Sequence, residues 1–354
     1  MQPKSRARLP LNDYPRTNTS TNPQNFPAGP NFLCIFAVTE NSFFSLPTQK
    51  HDSLITCETD GSKRHRHTIV QIDSHQLTKS RKDMIEKTFE TPQGTIHYWT
   101  NTMDKDRQSL VFLPGLTADH TLFDKQVEAF EPSCNVLVWD APAHAASRPF
   151  SLDFSLKEKA VWLHGILEKE GIVRPVLIGQ SMGGYVSQTF MQWFSDEAGG
   201  FVSIDSAPLK KKYYPGWELR LLRHIEPIYR FYPWRLLVRQ GAWGTAQTTY
   251  GRELMAQMMN EYSDDTAYYS KLVGHGYRML ADAIDADLPY EINCPCLLIC
   301  GKKDKAGDTK SFNRRWAKGE GLPIEWIPEA GHNSNTDCPG IINKLISKFL
   351  QENL

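Results

Sequence analysis

From about Met84 onward the chain alternates short apolar runs with segments whose apolar residues recur at helical spacing. Thr88–Thr91 and Thr95–Thr100, joined across Pro92-Gln93-Gly94, predict a hairpin. The runs Ser109–Leu113, Asn135–Trp139, Pro175–Ile178, Gly200–Asp205, Cys296–Cys300 and Ile324–Ile327 are short, largely apolar and rich in branched residues, and read as strands of a sheet. Between them lie helical patterns. One opens with the capping box Ser155-x-x-Glu158, places Leu156, Ala160, Leu163 and Leu167 on one face, and closes at Gly171. Another runs from Met182 to Phe194 through Val186, Phe190 and Trp193, and a third covers about Ser311–Trp316. The last starts at Pro339 and carries Ile341, Ile342, Leu345, Ile346, Phe349 and Leu350 on one face. Strands alternating with helices require crossover connections, hence a mostly parallel sheet with helices on both faces. The alternation breaks over about residues 208–289, which reads as a helical insertion.

Residues 1–83 lack this periodicity. They are rich in Pro, Asn, Thr, Ser and Gln and read as a disordered N-terminal extension to a domain spanning 84–354. Arg6, Arg8 and Arg16 admit a transit peptide, and Lys63–His67 a binding tract, although short charge runs are ordinarily solvated. A translation start at Met84 is a further expectation, excluded if peptides upstream of Met84 are found in the native protein. No apolar run reaches the roughly 18 to 20 residues that span a bilayer.

The formal charge is zero, with 11 basic against 7 acidic residues through position 83 and 29 against 33 beyond it. Neither imbalance implies nucleic acid. Seven cysteines without paired spacing suggest neither a disulfide framework nor a zinc site. Cys294-x-Cys296-x3-Cys300 lies in an apolar strand, where thiols behave as small hydrophobes. A reducing, cytoplasmic compartment follows as the expectation.

The chemistry concentrates at Gly179-Gln180-Ser181-Met182-Gly183, between a buried strand and a helix. A strand-to-helix turn this sharp needs residues without Cβ where the backbones crowd, and it holds the Ser181 hydroxyl at a helix N-terminus. A serine hydroxyl needs a base to become nucleophilic. His332, in the loop after Ile324–Ile327, is the candidate, with Gly331 letting that loop turn inward. The imidazole needs a carboxylate to fix its tautomer. Asp304 lies just past the strand Cys296–Cys300; Asp205, at another strand end, is a rival acid, and Asp308 is better explained as a helix N-cap.

The order Ser181, Asp304, His332, preceded by Leu113-Pro114-Gly115-Leu116, resembles the α/β-hydrolase superfamily in its single-domain, lid-bearing branch. The resemblance covers about residues 85–354. It implies an α/β-hydrolase fold with a lid at about 208–289, a Ser-His-Asp triad, and an oxyanion hole made by the backbone N–H groups of Leu116 and Met182. Asp140-Ala141-Pro142-Ala143-His144-Ala145-Ala146-Ser147-Arg148-Pro149 is similar to the family loop Asp-x-Pro-Gly-x-Gly-x-Ser-x-Pro, with alanines at both glycine positions. Pro114 stands where many members place His. A serine nucleophile argues against the epoxide hydrolase and haloalkane dehalogenase branches, which use Asp.

The implied activity is that of a cofactor-independent serine hydrolase acting on a small-molecule or amphiphilic carboxylic ester, thioester or lactone. An acyltransferase or carbon–carbon hydrolase would use the same triad, and a ligand-binding receptor the same fold. Thirteen aromatics between Tyr213 and Tyr277 suit an apolar acyl pocket, although most such rings simply pack a lid on its sheet. Lys210–Arg239 holds eight basic residues against Glu218 and Glu226, the composition of a solvated face or of one that meets acidic substrates or an anionic membrane.

Overall fold

A computed structural model describes residues 84–354, so the predictions for residues 1–83 lie outside the described residues. The hairpin β1 (Ile85–Thr91) and β2 (Gly94–Thr100) leads into β3 (Ser109–Leu113), α1 (Asp124–Phe130) and β4 (Asn135–Trp139). Then follow α2 (Leu156–Glu170), β5 (Val176–Gln180), α3 (Met182–Trp193) and β6 (Gly200–Ile204). Five helices come next: α4 (Gly216–Arg223), α5 (Glu226–Phe231), α6 (Trp234–Thr245), α7 (Thr249–Asn260) and α8 (Thr266–Ala286). The sheet resumes with β7 (Cys296–Gly301), α9 (Thr309–Glu320) and β8 (Ile324–Ile327), and the chain closes with α10 (Ser334–Asp337) and α11 (Pro339–Asn353).

The eight strands pair in the order β1-β2-β4-β3-β5-β6-β7-β8. Only the β1–β2 and β2–β4 pairs are antiparallel. From β4 to β8 every neighbour is parallel, with Phe112 opposite Val138 on one side and Ile178 on the other. β3, β4, β5, β6 and β7 are buried along their whole length, as continuous apolar runs require when helices cover both faces. The chain steps from β3 to β4 in one direction and from β5 to β8 in the other. Right-handed crossovers therefore send α1 to one face and α2 and α3 to the opposite one. α2 packs on α3, while α11 returns to pack on α1.

Local signals explain the boundaries. Ser155 and Glu158 form the reciprocal capping box, and Gly171 ends α2 in the left-handed conformation. The face of α11 is narrower than its periodicity predicts: Ile342, Ile346 and Phe349 are buried, but Ile341 is exposed. Trp193, at the end of α3, is also partly exposed and carries the Lys157 ammonium over its ring at 3.6 Å. The core is one continuous cluster running through the sheet into the inserted helices. Among the described residues no helix is long and apolar enough to cross a membrane.

Candidate active site

The parallel strands run their carboxyl ends toward one edge, where loops gather side chains that are distant in sequence. Ser181 stands between β5 and α3, capping the helix with φ +50° and ψ −115°, a conformation sparsely populated by residues other than glycine. The crowding that enforces it is measurable. A Cβ on Gly183 would lie 1.8 Å from the Leu113 carbonyl oxygen, and one on Gly179 would lie 2.4 Å from the backbone of Gly183. The Ser181 N–H donates to the Ile204 carbonyl at 2.9 Å, anchoring the turn to the next strand.

His332 follows β8. Its Nε2 lies 2.9 Å from Ser181 Oγ, and its Nδ1 lies 3.0 Å from Asp304 Oδ2. Asp304 is fully buried just past β7, and its other oxygen accepts the Ala306 N–H at 2.7 Å. The structure thus brings Ser181, His332 and Asp304 into one hydrogen-bonded chain. Burial lowers the His332 pKa, but the charge and hydrogen bond of Asp304, with help from Asp205, outweigh it and hold the pKa above the ordinary imidazole value. That direction favours an imidazole that takes a proton from a neighbour.

The two other acids do different work. Asp205 accepts the Gly301 N–H at 2.7 Å and the Ser334 N–H at 2.8 Å, so it ties β7 to the loop carrying His332. Burial and the nearby Asp304 charge push its pKa up. Asp308 occupies the N-cap position of α9, but its side chain makes no capping hydrogen bond, so the helix-cap explanation fails in its detail. The cysteine spacing gives no thiol cluster. Among the described residues Cys300 alone approaches Asp205 and Asp304, with ligand atoms within 4.8 Å, and burial raises its thiol pKa first of all.

Two features escaped the sequence. The Gln180 amide donates to the His332 carbonyl at 2.9 Å and to Asn333 Oδ1 at 3.2 Å, bracing the histidine loop from the residue before Ser181. Asp337 accepts the N–H groups of Gln247 and Thr248 at 2.9 Å and that of Gly331 at 2.8 Å, linking the same loop to the α6–α7 junction. Gly331 is needed for space and not for an unusual φ: a Cβ there would sit 2.9 Å from the Thr245 carbonyl. Gln180 occupies a variable position of its motif, and Asp337 reads as an ordinary polar residue near a helix end. Neither pattern announces a role.

A cavity of about 130 Å³ opens beside Ser181 and His332, between the sheet's carboxyl edge and the inserted helices. Leu116, Tyr229, Gln240, Met255, Tyr269 and Tyr277 line it. Leu116 follows Gly115 in the turn after β3, and Met182 is the first residue of α3, whose N–H has no acceptor within its own helix. The cavity thus meets Ser181, His332 and the turn at Gly115-Leu116, with Asp304 behind the imidazole.

A family model described as the alpha/beta hydrolase family matches residues 110–344. The uncharacterized hydrolase YugF of Bacillus subtilis is 21% identical over 268 residues, covering 74% of this chain and 96% of its own. A thermophilic esterase from Thermogutta terrifontis superposes with a TM-score of 0.60 at 19% identity, over 76% of this chain and 98% of its own. The enol-lactonase from Burkholderia xenovorans superposes with a TM-score of 0.57 at 20% identity, over 75% and 100%. At these identities the superpositions speak to the fold.

Proposed function

Because this chain belongs to the alpha/beta hydrolase family, we propose that it is a serine hydrolase cleaving a carboxylic ester, thioester or lactone through an acyl-enzyme. The observation that carries this reading is the unbroken chain from Ser181 Oγ to His332 Nε2 at 2.9 Å and from His332 Nδ1 to Asp304 at 3.0 Å. In the tautomer with the proton on Nδ1, His332 donates to Asp304 and leaves Nε2 free to accept the serine proton.

Ser181 Oγ attacks the carbonyl carbon as its proton passes to His332 Nε2, and the resulting imidazolium is stabilised by Asp304. The N–H groups of Leu116 and Met182 receive the negative oxygen of the tetrahedral intermediate. Its collapse breaks the ester C–O bond, and His332 Nε2–H protonates the departing alkoxide. Water then loses a proton to the same nitrogen, attacks the acyl carbon and releases the acid and Ser181. No step calls on a cofactor.

A cavity of about 130 Å³ lies below the few hundred Å³ typical of drug-sized ligands. Its tyrosines and glutamine add polar groups to an apolar wall. Both features support a compact acyl group over a long alkyl chain. A fluorophosphonate should label the wild type and not Ser181→Ala, and nitrophenyl esters should be cleaved best at short acyl length. Unlabelled, well-folded wild type would refute the assignment. Product analysis with competing alcohols separates hydrolysis from acyl transfer.

A further inference from the structure

The inserted helices α4, α5 and α6 carry an unusual outer surface. Five large apolar side chains are exposed there: Trp217 at 66%, Ile228 at 43%, Phe231 at 81%, Leu236 at 46% and Trp243 at 57%. The same segment exposes Arg220, Arg230, Arg235 and Arg239, while its two acids, Glu218 and Glu226, are half-buried. None of those four arginines makes an ion pair among the described residues. Exposed apolar side chains grouped with cations and no exposed acid are the composition of an interaction surface.

Its position gives the direction of that function. On α6, Gln240 lines the cavity beside Ser181. Leu236 and Trp243 stand four residues before and three after it, so helical geometry puts them on the adjoining stripe. Arg239 and Arg235 lie further around the same exposed face. On α5, Tyr229 lines the cavity while Ile228 and Phe231, three residues apart, point outward. On α6 the exposed apolar side chains therefore adjoin the cavity and Arg235 and Arg239 border them, while those of α4 and α5 face away from it.

We propose that the outer surface of α4, α5 and α6 docks on an anionic phospholipid surface, laying the α6 edge of the cavity on the lipid. Trp and Phe rings suit the headgroup boundary, where a ring is only partly wet, and arginines there meet phosphates and acidic headgroups. A second copy of the chain fits this face poorly, since a two-fold contact would set cation against cation. Docking delivers amphiphilic esters whose compact acyl group enters the cavity. Delivery of esters rests on the proposed hydrolase activity; the docking itself does not.

The test is flotation of the full-length protein with vesicles of phosphatidylcholine alone or mixed with phosphatidylserine. Binding is expected only to the mixed vesicles and should weaken with salt. The double substitution Arg235→Gln with Arg239→Gln should reduce vesicle affinity about thirtyfold, at the per-cation strength of such contacts. Phe231→Ser should also reduce it, while each variant keeps the wild-type circular dichroism spectrum and Tm as its folding control. Binding that persists unchanged in these variants would place attachment elsewhere, for instance in the basic segment before Met84, and overturn the proposal. Equal binding to neutral vesicles, binding to polyglutamate but not to vesicles, or no binding would each overturn it as well. Loss of ester turnover in Ser181→Ala tests the hydrolase reading separately, since that variant should still float.

Discussion

Replacing Lys159 by Met should stabilise the protein, and by more at neutral than at alkaline pH. Lys159 projects from α2 into the interior, where only 1% of its surface is exposed. No hydrogen bond or ion pair reaches its ammonium group among the described residues; the nearest recorded partner is the Phe154 ring at 5.6 Å. The ring nitrogens of its neighbours His144 and His275 offer no relief: each has a buried, unpartnered Nε2. Burial lowers the Lys159 pKa from 10.5 to about 7. Burial likewise pulls His144 to about 3 and His275 to about 4, so both stay neutral while Lys159 titrates.

Above the ordinary lysine pKa both folded and unfolded chains are neutral, and burial costs nothing electrostatic. As pH falls toward 7 the unfolded chain takes up a proton that the folded one refuses, and stability falls. Below about 7 both are protonated and the cost is complete. The interval from 10.5 to about 7 corresponds to roughly 5 kcal/mol at 1.36 kcal/mol per unit. Water penetration and local relaxation reduce what a substitution recovers. Lys159→Met, nearly isosteric, should therefore gain about 2–4 kcal/mol in urea unfolding near pH 6, shrinking toward zero near pH 10. A destabilised variant, or a gain equal at both pH values, would show that the ammonium is well satisfied and refute the reasoning.

The Asp304 assignment is tested by pH profiles. Wild-type kcat/KM should rise with pH through an inflection above the ordinary imidazole value of 6.5, because His332 must be neutral to act and its pKa is raised. Asp304→Asn should lower that inflection and cut turnover about 10⁴-fold, whereas Asp205→Asn should lower it while leaving most of the alkaline plateau; equal losses in the two would remove the distinction. Ala143 and Ala145 hold φ of +75° and +38°, conformations that cost a residue with Cβ roughly 1–2 kcal/mol. After the extra chain entropy of glycine, Ala143→Gly and Ala145→Gly should each gain up to about 1 kcal/mol, read as a higher Tm. Asp337→Ala strands three backbone N–H groups and should cost about 3 kcal/mol in chemical denaturation, and it should lower kcat more than it raises KM, because the loop it anchors carries His332.

These predictions divide along the line between what the chain's pattern states and what only packing decides. The inner parallel strands were legible because burial on both faces forces apolar runs, and β3 and β4 begin and end where those runs do. The turn at Ser181 was legible because steric crowding permits so few residues at positions 179 and 183. Lys159 was not. It stands three residues after Leu156, on the helix face that buries Ala160 and Leu163, and a polar letter at that position reads as a solvent-side residue until the fold closes over it. Gln180 and Asp337 were hidden for a related reason: an amide and a carboxylate become structural only when unsatisfied backbone groups from distant segments arrive beside them. The alanines at 143 and 145 were visible as departures, yet their backbone angles were not, since the chain accepts the strain and pays no mark in periodicity. Periodicity records what water does to a side chain, whereas a catalytic geometry depends on which backbone groups are left unpaired where loops meet. The loop that carries His332 is held by Gln180, Asp205 and Asp337 together, and each contributes through contacts more than a hundred residues away or through a turn six residues on. A site assembled this way holds its base through several anchors at once, so removing Gln180 or Asp337 should impair turnover, whereas Asp205→Asn, which keeps one acceptor oxygen, should impair it least.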